Sequence, residues 1–306
     1  MKVLLTTDGS KQAETALQTA GRLLHKGRHQ YDLLCVAPRL AFPQSKARKE
    51  KPKIARLHQN YQDKAASEAK EILLHAQAQL ATQGIEANTI AEVGSPANMI
   101  LQKAAERDLV VIGAHDRYER SKQGLGPVAT RVVAHASSAV LVARELTAGR
   151  SLRILLGMDG SLASEYALQV MLRMFDVGTA EITLMHVVET PWIYLGLERE
   201  WLDYAESGID RNDQSFQLER ELQNEAEDVL AEVRARLDGV GLSATTLIEE
   251  GDPALEILSE AEKDEYDLIV LGATGEHDLK HQLLGSVSTK VAQDAPCSVL
   301  VAKYIA

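Results

Sequence analysis

The chain has 306 residues, of which 45% are hydrophobic, and a formal net charge of −11 at pH 7. This length predicts about two domains, and the composition is that of a folded globular protein. No run approaches the ~18 apolar residues that span a bilayer, and the N-terminal residues MKVLLTTDGS lack a signal-peptide pattern. Cys35 and Cys297 each lie in an apolar segment, which indicates reduced core residues and not a disulfide or metal site. We therefore expect a cytoplasmic protein without membrane contact.

Charge is divided unequally between the two halves of the chain. Residues 1–150 contain 22 Lys and Arg against 14 Asp and Glu, whereas residues 151–306 contain 11 against 30. The halves therefore either attract one another or have different partners. Basic residues cluster at 46–56, where a nucleic-acid patch is one interpretation, but the lack of interleaved aromatic residues favours a solvated loop.

An internal repeat sets the predicted architecture. The matched blocks are 2–17 with 153–168, 107–116 with 266–275, and SAVLVAR at 138–144 with SVLVAK at 298–303. Because the three blocks recur in the same order, they indicate a duplicated domain of about 150 residues. We place the domains at 1–146 and 151–306, with the boundary near 147–151.

Short apolar runs alternate with helical patterns in both copies. Strands are predicted at 3–6, 31–37, 87–91, 109–112 and 139–143, and again at 153–158, 181–188, 245–249, 267–271 and 298–301. In the second copy, helices are predicted at 161–174, 217–237, 253–263 and 286–292, with Ser161 as one N-cap and Ser286 or Ser288 as another. This alternation predicts an α/β fold with two Rossmann-like, doubly wound, parallel five-stranded sheets.

One loop of the second copy has the composition of an anion-binding site. In LIVLGATGEHDLKHQLLGSVSTKV, at 268–291, Gly272 and Gly275 are followed by nine residues and then by Gly285 and Ser286. Glycines allow close backbone approach to a ligand, and the start of a helix presents unsatisfied N–H groups to phosphate. The loop has neither the P-loop nor the dinucleotide-binding spacing. An ordinary strand–loop–helix connection, in which the glycines only serve turns, stays open.

The loop resembles the ATP-binding motif of the universal stress protein family, and the resemblance covers nearly the whole chain twice. It includes Asp8 and Asp159 after the first strand of each copy, the G-x-P tripeptides at 94–96 and 251–253, and the terminal VLVA segments. The fold so implied is similar to that of the adenine nucleotide alpha hydrolases. The resemblance further implies that the two VLVA strands pair antiparallel, which joins the copies into an intramolecular pseudo-dimer and leaves a further homodimer open.

By this resemblance, the second copy is expected to bind ATP, ADP or AMP, with or without Mg²⁺. The implied site residues are Asp159, Val187, Val188, Gly272, Gly275, Gly285, Ser286, Val287 and Ser288. The aspartate would lie beside the nucleotide, the main chain of the two valines at the adenine edge, and the first two glycines along the ribose and phosphates. The Ser286 hydroxyl and the N–H groups of the last three residues would hold the phosphate tail. A purely structural role for Asp159 in the DGS turn stays open.

The first copy departs from this motif. It keeps Gly113, but Asp116 stands at the second glycine, and Pro127 follows Gly126 where the motif has serine. A carboxylate repels phosphate, and proline supplies neither an N–H nor a hydroxyl. We expect this copy to bind ATP weakly or not at all, and to bind another ligand or serve as scaffold.

Two segments carry weaker signals. His277 and His281 have the i,i+4 spacing of a metal pair on a helix, but no third ligand is evident, so a solvated loop or a phosphate contact involving Lys280 is preferred over a metal site. Residues 191–204 contain Trp192 and Trp201, and are consistent with a lid, a partner-binding surface or packing within the chain.

The resemblance implies a regulatory, nucleotide-binding protein of the stress response. The sequence shows no general base–nucleophile pair, Walker lysine or arginine finger, and so favours a binding module over an enzyme. Two alternatives stay open: a slow ATPase or phosphotransferase that uses Asp159 and a metal, and a nucleotide-stabilised scaffold for an unknown protein partner.

Overall fold

A computed structural model describes residues 1–39, 51–115, 124–189, 214–275 and 284–304. The described residues form ten strands: β1 (Lys2–Thr6), β2 (Gln30–Pro38), β3 (Ala87–Gly94), β4 (Leu109–Gly113), β5 (Ala139–Ala143), β6 (Arg153–Gly157), β7 (Glu181–Val188), β8 (Ala244–Glu250), β9 (Leu268–Gly272) and β10 (Ser298–Ala302). They also form eight helices: α1 (Lys11–Leu23), α2 (Lys51–Thr82), α3 (Pro96–Ala104), α4 (Pro127–His135), α5 (Leu162–Met174), α6 (Gln214–Gly239), α7 (Pro253–Lys263) and α8 (Ser286–Asp294). Each strand predicted from the sequence is present.

The strands form one sheet in the order β3-β2-β1-β4-β5-β10-β9-β6-β7-β8. Each half contributes five parallel strands, which confirms the predicted fold class. The halves meet where β5 and β10 pair antiparallel, with Leu141 opposite Leu300. Every residue of both strands is buried, so the pairing removes two sheet edges from solvent. Helices cover both faces of the sheet, over two separate clusters of buried side chains.

The first strand–helix turn is built alike in both halves. Gly9 and Gly160 have φ values of +74° and +78°, a conformation that favours glycine. The Ser10 and Ser161 hydroxyls then cap α1 and α5, each accepting a backbone N–H at 3.1 Å. This confirms Ser161 as the predicted N-cap.

The predicted cap of the last helix is wrong. The N-cap of α8 is Gly285, not Ser286 or Ser288, and no side-chain hydrogen bond caps the helix within the described part of the chain. Ser288 lies one turn further in, and its buried hydroxyl donates to the Ala273 carbonyl at 2.8 Å. The hydroxyl therefore fastens the helix to the preceding loop instead of capping the helix.

Basic residues that follow the two central strands reach across to the other half. Arg144, after β5, donates to the carbonyls of Ala292 at 3.0 Å and Cys297 at 2.9 Å, close to the end of α8. Lys303, after β10, donates to the Ala134 carbonyl at 2.9 Å, at the end of α4. Burial lowers the pKa of both groups, that of Lys303 to about 8. Each half thus supplies a cation to the helix C-terminus of the other, where cations are favoured.

Some sequence-based predictions concern residues outside the described ranges. They are those on Asp116, on the basic residues before Lys51, on Trp192, Trp201 and their segment, and on His277, Lys280 and His281. These stay predictions. Of the helices that the structure describes, none combines the length and apolar character needed to span a bilayer.

Candidate functional site

In the second half, the carboxyl ends of β6, β7 and β9 open onto a cavity of about 450 Å³. β6 pairs with β7 on one side and with β9 on the other, so the strand order runs in opposite directions from β6. Open α/β sheets bind ligands at such a switch point, outside the carboxyl ends of the strands. The nine residues predicted from the sequence all line this cavity: Asp159, Val187, Val188, Gly272, Gly275, Gly285, Ser286, Val287 and Ser288. We call this cavity the second crevice.

Asp159 closes the turn before α5 and also faces the glycine loop. Its Oδ1 accepts hydrogen bonds from the Ser161 amide at 3.0 Å and the Ser161 hydroxyl at 2.6 Å. Its Oδ2 would lie 3.3 Å from a Cβ placed on Gly275. The structural role that the sequence left open is therefore present, and the second carboxylate oxygen remains directed at the loop.

Gly272 has a packing reason to be glycine. A Cβ at this position would lie 2.6 Å from the Ala163 carbonyl carbon and 2.7 Å from the Ser164 nitrogen. The bare backbone therefore lets the first turn of α5 pack directly on β9. The corresponding residue of the first half is Gly113, where a Cβ would lie 3.2 Å from the Gln12 carbonyl oxygen and would be less crowded.

The start of α8 presents backbone donors to the second crevice. The first intrahelical bond is donated by Thr289 to Gly285, so the N–H groups of Ser286, Val287 and Ser288 precede the helical ladder. Gly285 itself donates to Ala273 at 2.7 Å, which closes the loop behind these donors. Such a helix start carries a partial positive charge and suits an anion.

The hydroxyl groups at this helix start differ in availability. Ser286 is exposed, whereas Ser288 is 3% exposed and its hydroxyl donates to the Ala273 carbonyl. At the other wall, the Val188 carbonyl already accepts from the Gly251 amide at 3.1 Å. At the α8 end, the Ser286 side chain is therefore exposed, and the amides of Ser286, Val287 and Ser288 are not used by the helical ladder.

His186 is a cavity residue that the sequence reasoning missed. Its Nδ1 is buried and has no hydrogen-bond partner within the described ranges. Burial lowers the pKa of the imidazole, and the Asp159 and Glu225 carboxylates and a hydrogen bond to the Met158 backbone oppose this. The signal was present in EITLMHVV, where a histidine interrupts an apolar strand.

The first half has a smaller cavity of about 340 Å³ at the corresponding place, the first crevice. α4 begins there with Pro127 after an N-cap glycine, and its first ladder bond is donated by Thr130. The helix start therefore offers two free amides in place of three, and no serine hydroxyl. Over the parts of the chain that are described, no group of three or more His, Cys, Asp or Glu is placed to hold a metal.

Comparison with known proteins gives consistent results for both halves. The model of the universal stress protein family matches residues 1–144 and 151–303. The universal stress protein YxiE of Bacillus subtilis is 31% identical over 153 residues, which are 49% of this chain and 98% of that protein. A universal stress protein of Mycolicibacterium smegmatis is 28% identical over 232 residues, which are 72% of this chain and 70% of that protein.

A solved structure matches the fold of the whole chain. The universal stress protein from Archaeoglobus fulgidus gives a TM-score of 0.63 at 20% sequence identity, with 99% of this chain and 96% of that chain covered.

Proposed function

Given that the chain belongs to the universal stress protein family, we propose that its second half, residues 151–306, binds an adenine nucleotide and regulates a stress response. The observation that carries this proposal is the helix start of α8, whose three uncapped amides and exposed Ser286 hydroxyl line the same cavity as Asp159 and the glycine loop. Residues 1–146 form the companion domain in an intramolecular pseudo-dimer, and we expect a cytoplasmic location.

The residues present fit ATP, ADP or AMP. Amides and one hydroxyl at a helix start bind phosphate oxygens without a lysine, because the helix dipole supplies the positive potential. Gly275 leaves the approach to the Asp159 carboxylate open, since any side chain there would press on Oδ2. Mg²⁺ would enter with the phosphates that carry it, and Asp159 is a lining carboxylate of the kind that Mg²⁺ accepts as a ligand.

The first crevice is not expected to bind the nucleotide. Pro127 removes one amide and the serine hydroxyl, and Asp116 adds a carboxylate to the sequence of the loop. Each lost hydrogen bond to a charged phosphate is worth about 1.5–3 kcal/mol.

The proposal is tested by calorimetry with ATP and Mg²⁺ on the intact chain and on the Gly275→Asp, Ser286→Pro double variant. We expect one site in the intact chain and a loss of affinity of about tenfold or more in the variant. The control is Pro127→Ser in the first half, which should leave the affinity of the second crevice unchanged. Absence of binding by the intact chain would favour a scaffold for a protein partner, and two sites would contradict our account of the first crevice.

Hydrolysis is a second candidate activity, because Asp159 Oδ2 faces the loop that would carry the phosphates. The Asp159→Asn variant keeps an oxygen for the Ser161 bonds and removes the carboxylate charge. Phosphate release that disappears in this variant, with ATP affinity kept, would assign a slow ATPase. Release that is absent from the intact chain would leave a nucleotide-binding module.

A further inference from the structure

At several corresponding positions the first crevice is apolar where the second is polar. Three of them lie among the lining residues: Ala13 stands where the second half has Ser164, Cys35 where it has His186, and Ala129 where it has Ser288. Most of the remaining lining residues are apolar and come from several elements, among them Leu34, Ile72, Ile100 and Ile112. The polar ones are Thr6, Thr7, Asp8, Tyr61, Glu68 and His115. The cavity is therefore smaller and more apolar than its counterpart.

The polar residues at the end of β1 are bonded within the protein. The Thr6 hydroxyl donates to the Val111 carbonyl at 2.9 Å, and the Thr7 hydroxyl accepts from the Gly9 amide at 3.2 Å. Asp8 accepts from the Ser10 amide at 2.9 Å, as its counterpart does in the second half. A ligand would thus meet a mainly apolar wall whose hydroxyls beside β1 already have partners.

Carboxylates do not separate the two crevices, because Asp8 and Glu68 line the first and Asp159, Glu189 and Glu225 line the second, and neither has a Lys or Arg among its described lining residues. The difference lies in the donors at the helix start. An anionic group in the first crevice would be desolvated without the serine hydroxyl and third amide of the second crevice. An uncharged group avoids this penalty.

We propose that the first crevice is a second ligand site, which binds an uncharged and mainly apolar small molecule. Its volume of about 340 Å³ lies at the small end of the range for ligand cavities, about 300–1,000 Å³. Burial of apolar ligand surface against Leu34, Ile72 and Ile112 supplies the affinity. The proposal is independent of the nucleotide, since it concerns the other half of the chain.

A matched pair of dyes tests both the apolar and the uncharged part of the proposal. N-phenyl-1-naphthylamine is neutral, and 8-anilino-1-naphthalenesulfonate has the same aromatic body with one negative charge. Titration of each into the intact chain, followed by fluorescence, should show saturable binding of the neutral dye at one site. The sulfonate should bind about tenfold more weakly or less. Saturating ATP should not displace the neutral dye.

The location is tested at Ala65, a half-buried lining residue of α2. Ala65→Phe places a larger side chain in the cavity wall and should weaken binding of the neutral dye by about tenfold. The matched control is Leu222→Phe on α6, because Leu222 and Ala65 each lie three residues before a lining glutamate, Glu225 and Glu68. This control should leave dye binding unchanged.

The proposal is overturned by any of three results: no saturable binding of the neutral dye, equal affinity for the sulfonate, or full binding by Ala65→Phe. Circular dichroism and thermal unfolding report whether the variants fold. If Ala65→Phe does not fold, Ala65→Leu copies the residue of the second half and should still weaken the dye. A crystal structure of the intact chain with the neutral dye then decides directly between the first crevice and another place.

Discussion

The two crevices share a backbone plan and differ in their surface chemistry. In both, an aspartate and a serine close the turn after the first strand, and a glycine ends the fourth strand against the helix that follows the first strand. The positions that differ are those whose side chains face the cavity, such as Ser164 against Ala13. The comparison shows that the two halves keep the residues that build this turn and differ in part of the cavity lining.

The largest expected effect concerns the glycine at the end of β9, compared with its counterpart at the end of β4. Gly272→Ala should lower the free energy of unfolding by about 3 kcal/mol, because the new Cβ would lie 2.6 Å from backbone that can only move with α5. Gly113→Ala, at 3.2 Å from its neighbour, should lower it by about 1 kcal/mol. Urea denaturation of the two variants measures the difference. Equal losses would show that the two halves pack this helix alike.

A smaller effect separates the two serines of α8. Ser288→Ala removes the bond to Ala273 and should lower the free energy of unfolding by about 1 kcal/mol, while ATP affinity stays within about twofold. Ser286→Ala should do the reverse, with nearly unchanged stability and about tenfold weaker ATP binding, because its hydroxyl is exposed at the helix start. Denaturation and calorimetry on the same preparations provide both readouts. A loss of ATP affinity in Ser288→Ala alone would reverse the assignment.

The smallest effect is a pH dependence at His186 of the second crevice, which adds to that of His29, whose pKa burial also lowers. The unfolded chain takes up a proton at His186 near its ordinary pKa of 6.5, whereas burial lowers the pKa in the folded chain, so stability is lost as pH falls below about 6.5. His186→Cys, which copies Cys35 of the first half, should flatten this part of the stability curve. Thermal unfolding across this pH range compares the two proteins. An unchanged slope in the variant would mean that another group titrates there.

The sequence predicted the strands well, and the nine residues that it proposed for the site line one cavity. Short β-branched apolar runs bounded by glycine, such as LIVLG, favour buried strands, and parallel strands bring their carboxyl ends to one edge. The sequence predicted less about side-chain direction. The Ser288 hydroxyl turns inward to Ala273, and Gly272 is required by α5, which is distant in sequence. His186 was missed because a single polar residue in a strand does not reveal which face it occupies.

The crossed contacts of Arg144 and Lys303 have a consequence for how the two crevices occur together. Each half supplies hydrogen bonds to a helix end of the other, so we expect each half to stabilise the other. Joining the copies in one chain also fixes their stoichiometry at one to one, which separate chains that self-associate would not guarantee. The sequence of one copy can then change while every molecule still carries one crevice of each kind.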